Sequence, residues 1–395
     1  MTRPRFASPS LFEHMVELRR EFHRHPELAF EEKHTARRIM RELDALGIPY
    51  TYGGVGSGVV GRLRTGAEGA PVVALRAEMD ALPGEETTGR EFASREPGKM
   101  HACGHDAHMA MVLGAASTLI DNPPDGDVFF VFQPAEERGG GSRKVLEAGE
   151  VDEVEAIFAL HVTHRYDVGE MMVRDGVVTA QSDAFSAEIH GKGGHGARPH
   201  EAVDAVVIAA SFINTIQTLV SRQTDPLHPS VVTIGRVEAG SAPNVIAEKA
   251  YMEGTIRTTL PAMRDHIHRG LRRTAQALGE LHNARIDLDL REGYPPVENT
   301  PREAGWAREA AREVVGEENL REAEHPSMGS EDFAFFLREI PGAYVRLGAR
   351  MADDEYIPLH SPAFDIDEEA LDVGAAFFDR VARVAIRRLA ESDRR

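Results

Sequence analysis

The sequence predicts an α/β fold with a mixed, largely parallel sheet flanked by helices, interrupted by an inserted α+β module. Up to residue 183, short apolar runs alternate with helical stretches, which is typical of a layered fold with parallel strands. From residue 184 to 296 the order changes to strand, helix, strand, strand, helix, strand. Helical and short-strand segments return after Pro295 and Pro296.

The first elements follow from apolar spacing. Apolar residues at helical intervals between residues 11 and 46 predict two helices, which Pro26 separates and Gly47 ends. Three continuous apolar runs predict buried strands, and a helix is expected between the first two. The strands are placed at residues 72–75, 128–132 and 156–161, and the helix at residues 108–120.

The inserted module has the β-α-β-β-α-β order of a ferredoxin-like fold. Its strands are expected at residues 184–190, 231–237, 249–258 and 284–290, and its helices at 203–219 and 263–282. Further helical segments are placed at 302–315, 331–337 and from 368 to about 389. We therefore expect one domain of residues 1–183 plus 297–395 and a second of residues 184–296.

Composition excludes several classes of protein. The chain has 395 residues and a net charge of −19, which argues against a nucleic-acid binder and against adsorption to an anionic membrane. The single cysteine, Cys103, excludes a disulfide within the chain. No leader segment and no bilayer-spanning run are expected, because the longest apolar stretch is broken at Asp204 and Ser211. We expect a cytoplasmic protein.

The densest group of reactive side chains is the run MHACGHDAH at residues 100–108. Imidazole and thiolate are common ligands of zinc and similar ions, and Gly104 permits a turn that directs Cys103 and His105 towards one point. The alternative is a buried free cysteine beside surface histidines. The sequence favours a metal site, because other ligand types follow.

Adjacent carboxylates, Glu136 and Glu137, come directly after the apolar strand at 128–132. The carboxyl ends of strands are where open α/β sheets bind ligands. One carboxylate can bind a metal while the other transfers protons. Glu-Glu pairs are also common on solvated loops. This pair therefore indicates a metal site only in combination with the other candidate ligands.

Three further histidines complete the set. His161 is expected to close the strand at 156–161, with His164 in the following loop, and His360 lies in a turn near the C-terminus. Each alone is more often a surface or capped histidine. His161 and His360, together with Cys103, His105 and a glutamate, supply five ligands, enough for two ions if water or one ligand bridges them.

The glycine-rich run at residues 191–196 matches G-x-G-x-x-G in letters. A dinucleotide site is not expected there, because the run lies in an α+β module and not in a parallel βαβ unit. The chain contains no G-x-S-x-G elbow, Walker A loop, H-E-x-x-H or C-x-x-C motif.

Taken together, these motifs resemble the M20 metallopeptidases, in the branch of N-acyl-amino-acid amidohydrolases. That branch includes hippurate hydrolases, indoleacetyl-amino-acid hydrolases and N-acetyldiaminopimelate deacetylases. The resemblance covers nearly the whole chain in order. Besides residues 100–108 it rests on LRREFHRHPEL (18–28), RAEMDALP (76–83), QPAEE (133–137), LHV (160–162), GKGGHGA (191–197), SAPNVI (241–246), MGSEDF (328–333) and LHSP (359–362).

The resemblance implies two divalent metal ions, with zinc, manganese, cobalt or nickel all compatible with a mixed thiolate, imidazole and carboxylate set. The implied metal ligands are Cys103, His105, Glu137, His161 and His360. Glu136 matches the family's general base, and Asp80 matches an acid that orients the metal site.

The inserted module resembles the family's lid, which also forms the interface of a homodimer. His195 matches the lid histidine that reaches the partner subunit's active site and stabilises the developing oxyanion. Positions around the substrate carboxylate are matched by Asn244, Arg257, Gly329 and Ser330.

Two departures from the family pattern stand out. Glu78 occupies a position where the family usually has aspartate, and Ala247 one where proline often follows Asn-Val-Ile. Neither change removes a matched ligand, although the change at Ala247 is expected to loosen the loop that holds Asn244.

The expected function is hydrolysis of the amide bond of a small-molecule N-acyl-L-amino acid by metal-activated water. A dipeptidase or carboxypeptidase using the same site is the alternative. A non-catalytic binding protein of the same fold is disfavoured, because Glu136 and the full ligand set are present.

Overall fold

The structure is a computed structural model that describes residues 5–54, 56, 58–65, 68–351 and 355–392. The chain divides into two compact units. The larger comprises Met1–Val178, Val297–His325 and Glu331–Arg395, and the smaller comprises Thr179–Pro296 and Pro326–Ser330. The smaller unit thus includes a short return segment, which the expected boundaries at residues 184 and 296 did not include.

The larger unit is built on an eight-stranded mixed sheet. Its strands are β1 (Tyr50–Tyr52), β2 (Val59–Leu63), β3 (Val72–Glu78), β4 (Asp127–Gln133), β5 (Ala156–Asp167), β6 (Met171–Met172), β11 (Leu320–Arg321) and β12 (Gly342–Arg350). Their spatial order is β1-β2-β4-β3-β5-β12-β6-β11. The central strands β4, β3, β5 and β12 are mutually parallel. This confirms the predicted mixed, largely parallel sheet.

Helices cover both faces of this sheet. They are α1 (Pro9–Arg24), α2 (Lys33–Leu46), α3 (His105–Asp121), α4 (Gly141–Glu147), α7 (Pro301–Val315), α8 (Phe333–Glu339) and α9 (Glu369–Ser392). Phe130 and Phe132 of β4 pack on one face with α1, α2, α3, α7 and α9. Phe129 and Val131 pack on the other with α4 and α8. Because both faces are covered, the strand is a continuous apolar run.

The smaller unit contains the predicted β-α-β-β-α-β order. Its elements are β7 (Gln181–His190), α5 (Ala205–Gln223), β8 (Ser230–Ala239), β9 (Lys249–Thr258), α6 (Pro261–His282) and β10 (Arg285–Glu292). The antiparallel sheet has the order β8-β9-β7-β10. The two helices share one core with alternate residues of β7, including Phe185, Ala187 and Ile189, so the predicted module is confirmed.

Three details of the prediction were wrong. The helix expected at residue 108 begins at His105, so the last four residues of the histidine-rich run lie in its first turn. The strand expected to end at His161 continues to Asp167, because it pairs in parallel with β12 beyond that point. His164 therefore lies in a strand and not in a loop. Long-range pairing of this kind leaves no local signal in the apolar run.

By length and composition α5 would be able to cross a membrane, which the sequence analysis did not expect. The same helix buries Ile208, Phe212, Ile216 and Leu219 in the core of the smaller unit. A core helix meets the same criteria, so this finding is weak evidence for a membrane span.

Candidate metal centre and active site

Gly104 shapes the segment that carries Cys103 and His105. It has a left-handed backbone (φ 87°) and is the residue immediately before α3. A Cβ atom at this position would lie 2.3 Å from Cγ2 of Val162. Only glycine fits here without displacing its neighbour. The turn leaves Cys103 in the loop and His105 on the first turn of the helix, both buried.

The orientation of His105 is set by Asp80. The Nδ1 atom of His105 lies 2.8 Å from the backbone oxygen of Asp80, which only accepts hydrogen bonds, so Nδ1 carries a proton. The Nε2 atom is buried and has no hydrogen-bond partner among the described residues. Burial disfavours the charged ring, but the hydrogen bond to Asp80 and the charges of Glu78 and Asp80 raise the pKa of His105 to about 10.

His161 shows the same arrangement. Its Nδ1–H donates to the backbone oxygen of Val162 at 2.7 Å, which leaves Nε2 as the nitrogen able to bind a metal. That Nε2 lies 3.3 Å from Sγ of Cys103. Burial is the main cause that holds the pKa of His161 well below its usual range, and the positive charge of Arg346 acts in the same direction.

Asp80 also holds the loop that carries Glu136 and Glu137. Its two carboxylate oxygens accept hydrogen bonds from the backbone N–H groups of Glu136, at 3.1 Å, and Glu137, at 3.0 Å. The preceding Ala135 has a left-handed backbone (φ 53°), and its N–H donates to Glu32 at 2.8 Å. Sequence reasoning did not single out Glu32. An unusual loop conformation is thus held by two buried carboxylates.

The Glu136 side chain lies in an acidic, buried environment. Its Oε1 accepts a hydrogen bond from the backbone N–H of Asp332 at 3.3 Å. Burial and the negative charges of Glu331, Glu137, Asp332 and Asp80 raise the pKa of Glu136 well above its usual range. A carboxyl group with a raised pKa is suited to accept and return a proton near neutral pH.

His360 reaches this group from the C-terminal part of the unit. Its backbone N–H donates to the backbone oxygen of Ala102 at 2.8 Å, which ties its turn to the Cys103 loop. Its Nε2 lies 3.2 Å from Oε1 of Glu137. The His360 backbone is left-handed, at φ 68°. The turn is therefore a strained segment placed beside the Cys103 loop.

The structure brings the five predicted ligands together. Within each of three groups, the potential ligand atoms lie within 4.8 Å of one another. The groups are Cys103, His105 and His161; Cys103, Glu137 and His360; and His105, Glu136 and Glu137. These donors, and the unpartnered Nε2 of His105, suit divalent cations of intermediate softness. The assignment of individual ligands stays a prediction.

A buried ionic network behind the candidate site was not predicted. Arg76, fully buried in β3, donates to Gln133 at 2.8 Å, Glu331 at 3.0 Å and Asp332 at 2.9 Å, and also pairs with Glu78. Although burial acts in the opposite direction, Arg76 and His108 hold the pKa of Glu78 well below its usual range. The position of Arg76 inside an apolar strand could have predicted this network, because a buried charge requires ionic or hydrogen-bond partners.

The other predicted site residues lie in the smaller unit. Nη1 of Arg257, on β9, donates to the hydroxyl of Ser330 at 2.5 Å. The backbone oxygen of Asn244 accepts from Gly196 N–H at 2.8 Å, so Asn244 lies close to the exposed His195. The structure thus places Arg257 beside Ser330, and Asn244 beside His195. Gly329 is exposed on the return segment, where its N–H donates to Ser327.

Ala247, the second departure from the family pattern, is buried in the core of the smaller unit. Its backbone oxygen accepts a hydrogen bond from Ala205 N–H at 3.1 Å. The loop after Asn244 is therefore anchored by core packing and by a backbone hydrogen bond.

Comparisons with known proteins agree with this geometry. Residues 74–384 match the family model described as peptidase family M20/M25/M40. The chain is 41% identical over 380 residues to IAA-amino acid hydrolase ILR1-like 4 of Arabidopsis thaliana, covering 94% of this chain and 85% of that protein. It is 38% identical over 379 residues to N-acetylcysteine deacetylase of Bacillus subtilis, covering 94% and 97%.

A solved structure is also similar. The Bacillus subtilis YXEP protein, described as a dinuclear metal binding peptidase from the M20 family, superposes with a TM-score of 0.83 at 35% identity. The alignment covers 96% of this chain and 99% of that one. The chain therefore belongs to peptidase family M20/M25/M40, as an enzyme of the branch that contains the N-acyl-amino-acid hydrolases.

Proposed function

We propose that this enzyme hydrolyses the amide bond of N-acyl-L-amino acids, releasing a carboxylate and a free amino acid, with two divalent cations. One observation carries the proposal: Cys103, His105, Glu137, His161 and His360 converge beside the buried carboxyl of Glu136. The names of the plant hydrolase and the bacterial deacetylase support an acylated amino acid as substrate.

The bound cations would supply a water of lowered pKa and polarise the scissile carbonyl. Glu136 accepts the proton of the attacking water and returns it to the leaving nitrogen. The Asp332 N–H donates to Oε1 of Glu136 and so helps to hold the carboxyl group in position for proton transfer. Asp80 fixes His105 and the Glu136–Glu137 backbone, so the general base and the ligands keep their relative positions.

Substrate recognition is assigned to the smaller unit. Arg257 offers a guanidinium, oriented by Ser330, to the substrate carboxylate through a charge-assisted hydrogen bond. We propose that Asn244 and Gly329 contribute polar contacts, and that His195 stabilises the oxyanion, a contribution of about 2.7–4 kcal/mol for a well-placed donor. The homodimer and the cytoplasmic location stay predictions.

A matched substrate set tests the proposal. Chain loaded separately with zinc, manganese, cobalt and nickel is assayed with N-acetyl-, N-benzoyl- and indoleacetyl-phenylalanine, and with glycyl-phenylalanine. We expect the best N-acyl compound to exceed the dipeptide in kcat/KM by at least about tenfold, because a protonated amino group next to the scissile carbonyl opposes binding beside the cations. N-acetyl-phenylalanine amide is expected to be a poor substrate, because Arg257 loses its ionic partner.

The dipeptide arm also tests the second candidate function. The description of the similar Bacillus subtilis structure as a peptidase favours a dipeptidase or carboxypeptidase. Preferential cleavage of glycyl-phenylalanine would establish that alternative. Failure to hydrolyse any compound with any of the four metals would contradict both.

The pKa values of the ligands predict that cation binding releases protons. Burial, together with the charges of Glu137 and Glu136, raises the pKa of Cys103 well above its usual range, and the pKa of His105 is raised to about 10. At pH 7.5 both groups are therefore protonated before a cation binds. Since a cation needs the thiolate and the neutral ring, binding must displace these protons.

We expect about two protons released per chain, and an affinity that rises with pH by about tenfold per unit for each proton displaced. Calorimetric titration of metal-free protein in buffers with different ionisation enthalpies measures this number. Binding that is independent of pH between 6 and 8 would contradict the assignment of Cys103 and His105 as ligands.

A further inference from the structure

Glu78 and His108 form a buried contact beside the candidate metal ligands. Oε2 of Glu78 lies 2.8 Å from Nδ1 of His108, and Oε1 of Glu78 pairs with Arg76. All three side chains are fully buried. Together with His105, Glu78 and His108 also offer ligand atoms within 4.8 Å of one another. Distance alone would therefore allow His108 to be counted as a metal ligand.

The hydrogen bonds of His108 exclude that role. Its Nε2 lies 3.0 Å from the backbone nitrogen of Val162, which only donates. Nε2 is therefore the acceptor, and the proton of the neutral ring lies on Nδ1, from which it is donated to Glu78. Both ring nitrogens are occupied. By contrast, His105 and His161 each use Nδ1 as a donor. Nε2 of His105 then has no partner among the described residues, and Nε2 of His161 contacts only Cys103, another candidate ligand.

The backbone of Val162 connects His108 to His161. Val162 N–H donates to His108, while the oxygen of Val162 accepts from Nδ1 of His161 at 2.7 Å. The two rings are also in edge contact, with centroids 4.7 Å apart and an interplanar angle of 66°. The position of the His161 ring, whose Nε2 faces Cys103, thus depends on His108, and His108 depends on Glu78.

We propose that Glu78 and His108 are positioning residues that hold His161 in its ligand orientation through Val162, and that His108 itself binds no metal. This inference rests on the proposed function, because it assumes that His161 is a ligand. It also gives a role to Glu78, the residue that departs from the family pattern: its carboxylate spans the distance between Arg76 and His108.

Two amide variants separate the contacts of His108. In His108→Asn the amide nitrogen replaces Nδ1, so the contact with Glu78 is kept and Val162 N–H loses its acceptor. In His108→Gln the amide oxygen replaces Nε2, so Val162 N–H keeps its acceptor and the contact with Glu78 is lost. The readouts are cations per chain, cobalt affinity by competition with a chelator, and the visible spectrum of the cobalt-loaded protein.

We expect both variants to bind two cations per chain, as the wild type does. His108→Asn should weaken cobalt binding by about 10–100-fold, the range for residues that orient metal ligands, and His108→Gln by less than about tenfold. One cation per chain in both variants would show that His108 is a ligand and overturn the inference. Wild-type affinity in both, or equal losses, would overturn the positioning role.

Two further controls keep the outcomes distinct. A wild-type chain that binds no cation refutes the proposed function itself, whatever the variants do. Circular dichroism and thermal unfolding without metal report folding. If His108→Asn does not fold, the variant Glu78→Asp is tested in its place, since aspartate is the usual family residue. We expect Glu78→Asp to bind two cations with weaker affinity than the wild type. Unchanged affinity would overturn the role of Glu78.

Discussion

Glu136→Gln lowers kcat for hydrolysis of an N-acyl amino acid by about 10²–10⁴-fold, the contribution of a positioned general base. Glutamine keeps the shape of the side chain, and its amide oxygen still accepts from Asp332 N–H. The variant cannot take a proton from water at neutral pH. Because Glu136 is not assigned as a ligand, metal content should stay at two cations per chain. KM should change little, since substrate binding is assigned to other residues.

The measurement is steady-state kinetics on metal-loaded protein, with metal content determined on the same sample. Glu147→Gln is the matched control, because Glu147 is an exposed carboxylate on α4 that pairs only with Lys144 among the described contacts. That variant should keep wild-type kcat. If Glu136→Gln turned over at a rate within threefold of wild type, the general base would have to be another residue.

Cys103→Ala weakens cation binding by at least about 100-fold. Replacing a residue that merely orients a ligand costs about 10–100-fold, and removal of a ligand atom should cost at least the upper end of that range. Two of the three groups of potential ligands described above contain Cys103, so the substitution removes a ligand atom from each of the two. The mutation also removes the contact between Sγ of Cys103 and the buried Nε2 of His161, which are 3.3 Å apart. Activity at limiting metal should fall with the affinity.

Cobalt provides the direct readout, because a thiolate bound to cobalt adds a charge-transfer absorption that imidazole and carboxylate do not. Cys103→Ser, which keeps nearly the size of the side chain, should lose this absorption as completely as Cys103→Ala. Cys103 is the only cysteine, so no other thiol interferes. An absorption band and a chelator-measured affinity that survive in both variants would rule out Cys103 as a ligand.

Local patterns in the sequence were sufficient for the architecture. The apolar spacing of α1 and α2, with Gly47 as the expected end of the second, predicted both helices. In the structure Gly47 ends α2 in a left-handed conformation. The continuous apolar run of β4 predicted a strand covered on both faces, and alternation predicted the strands of the smaller unit. These signals are readable because each depends on residues only a few positions apart. The bounds of α3 and β5 were wrong because a glycine turn and a distant partner strand decide them.

The sequence by itself determined which side chains are chemically able to bind metal and move protons, and the resemblance predicted that they form one site. Only the tertiary structure decided how each is used. The sequence does not distinguish His105, His108 and His161. In the structure, Nε2 of His105 and of His161 lies among the candidate metal ligands, whereas both nitrogens of His108 are bonded to Glu78 and Val162. The partners of His108 are Glu78 and Val162, 30 and 54 residues away in the chain. The protonated nitrogen of a histidine is set by its hydrogen-bond partners, and folding alone brings these partners together.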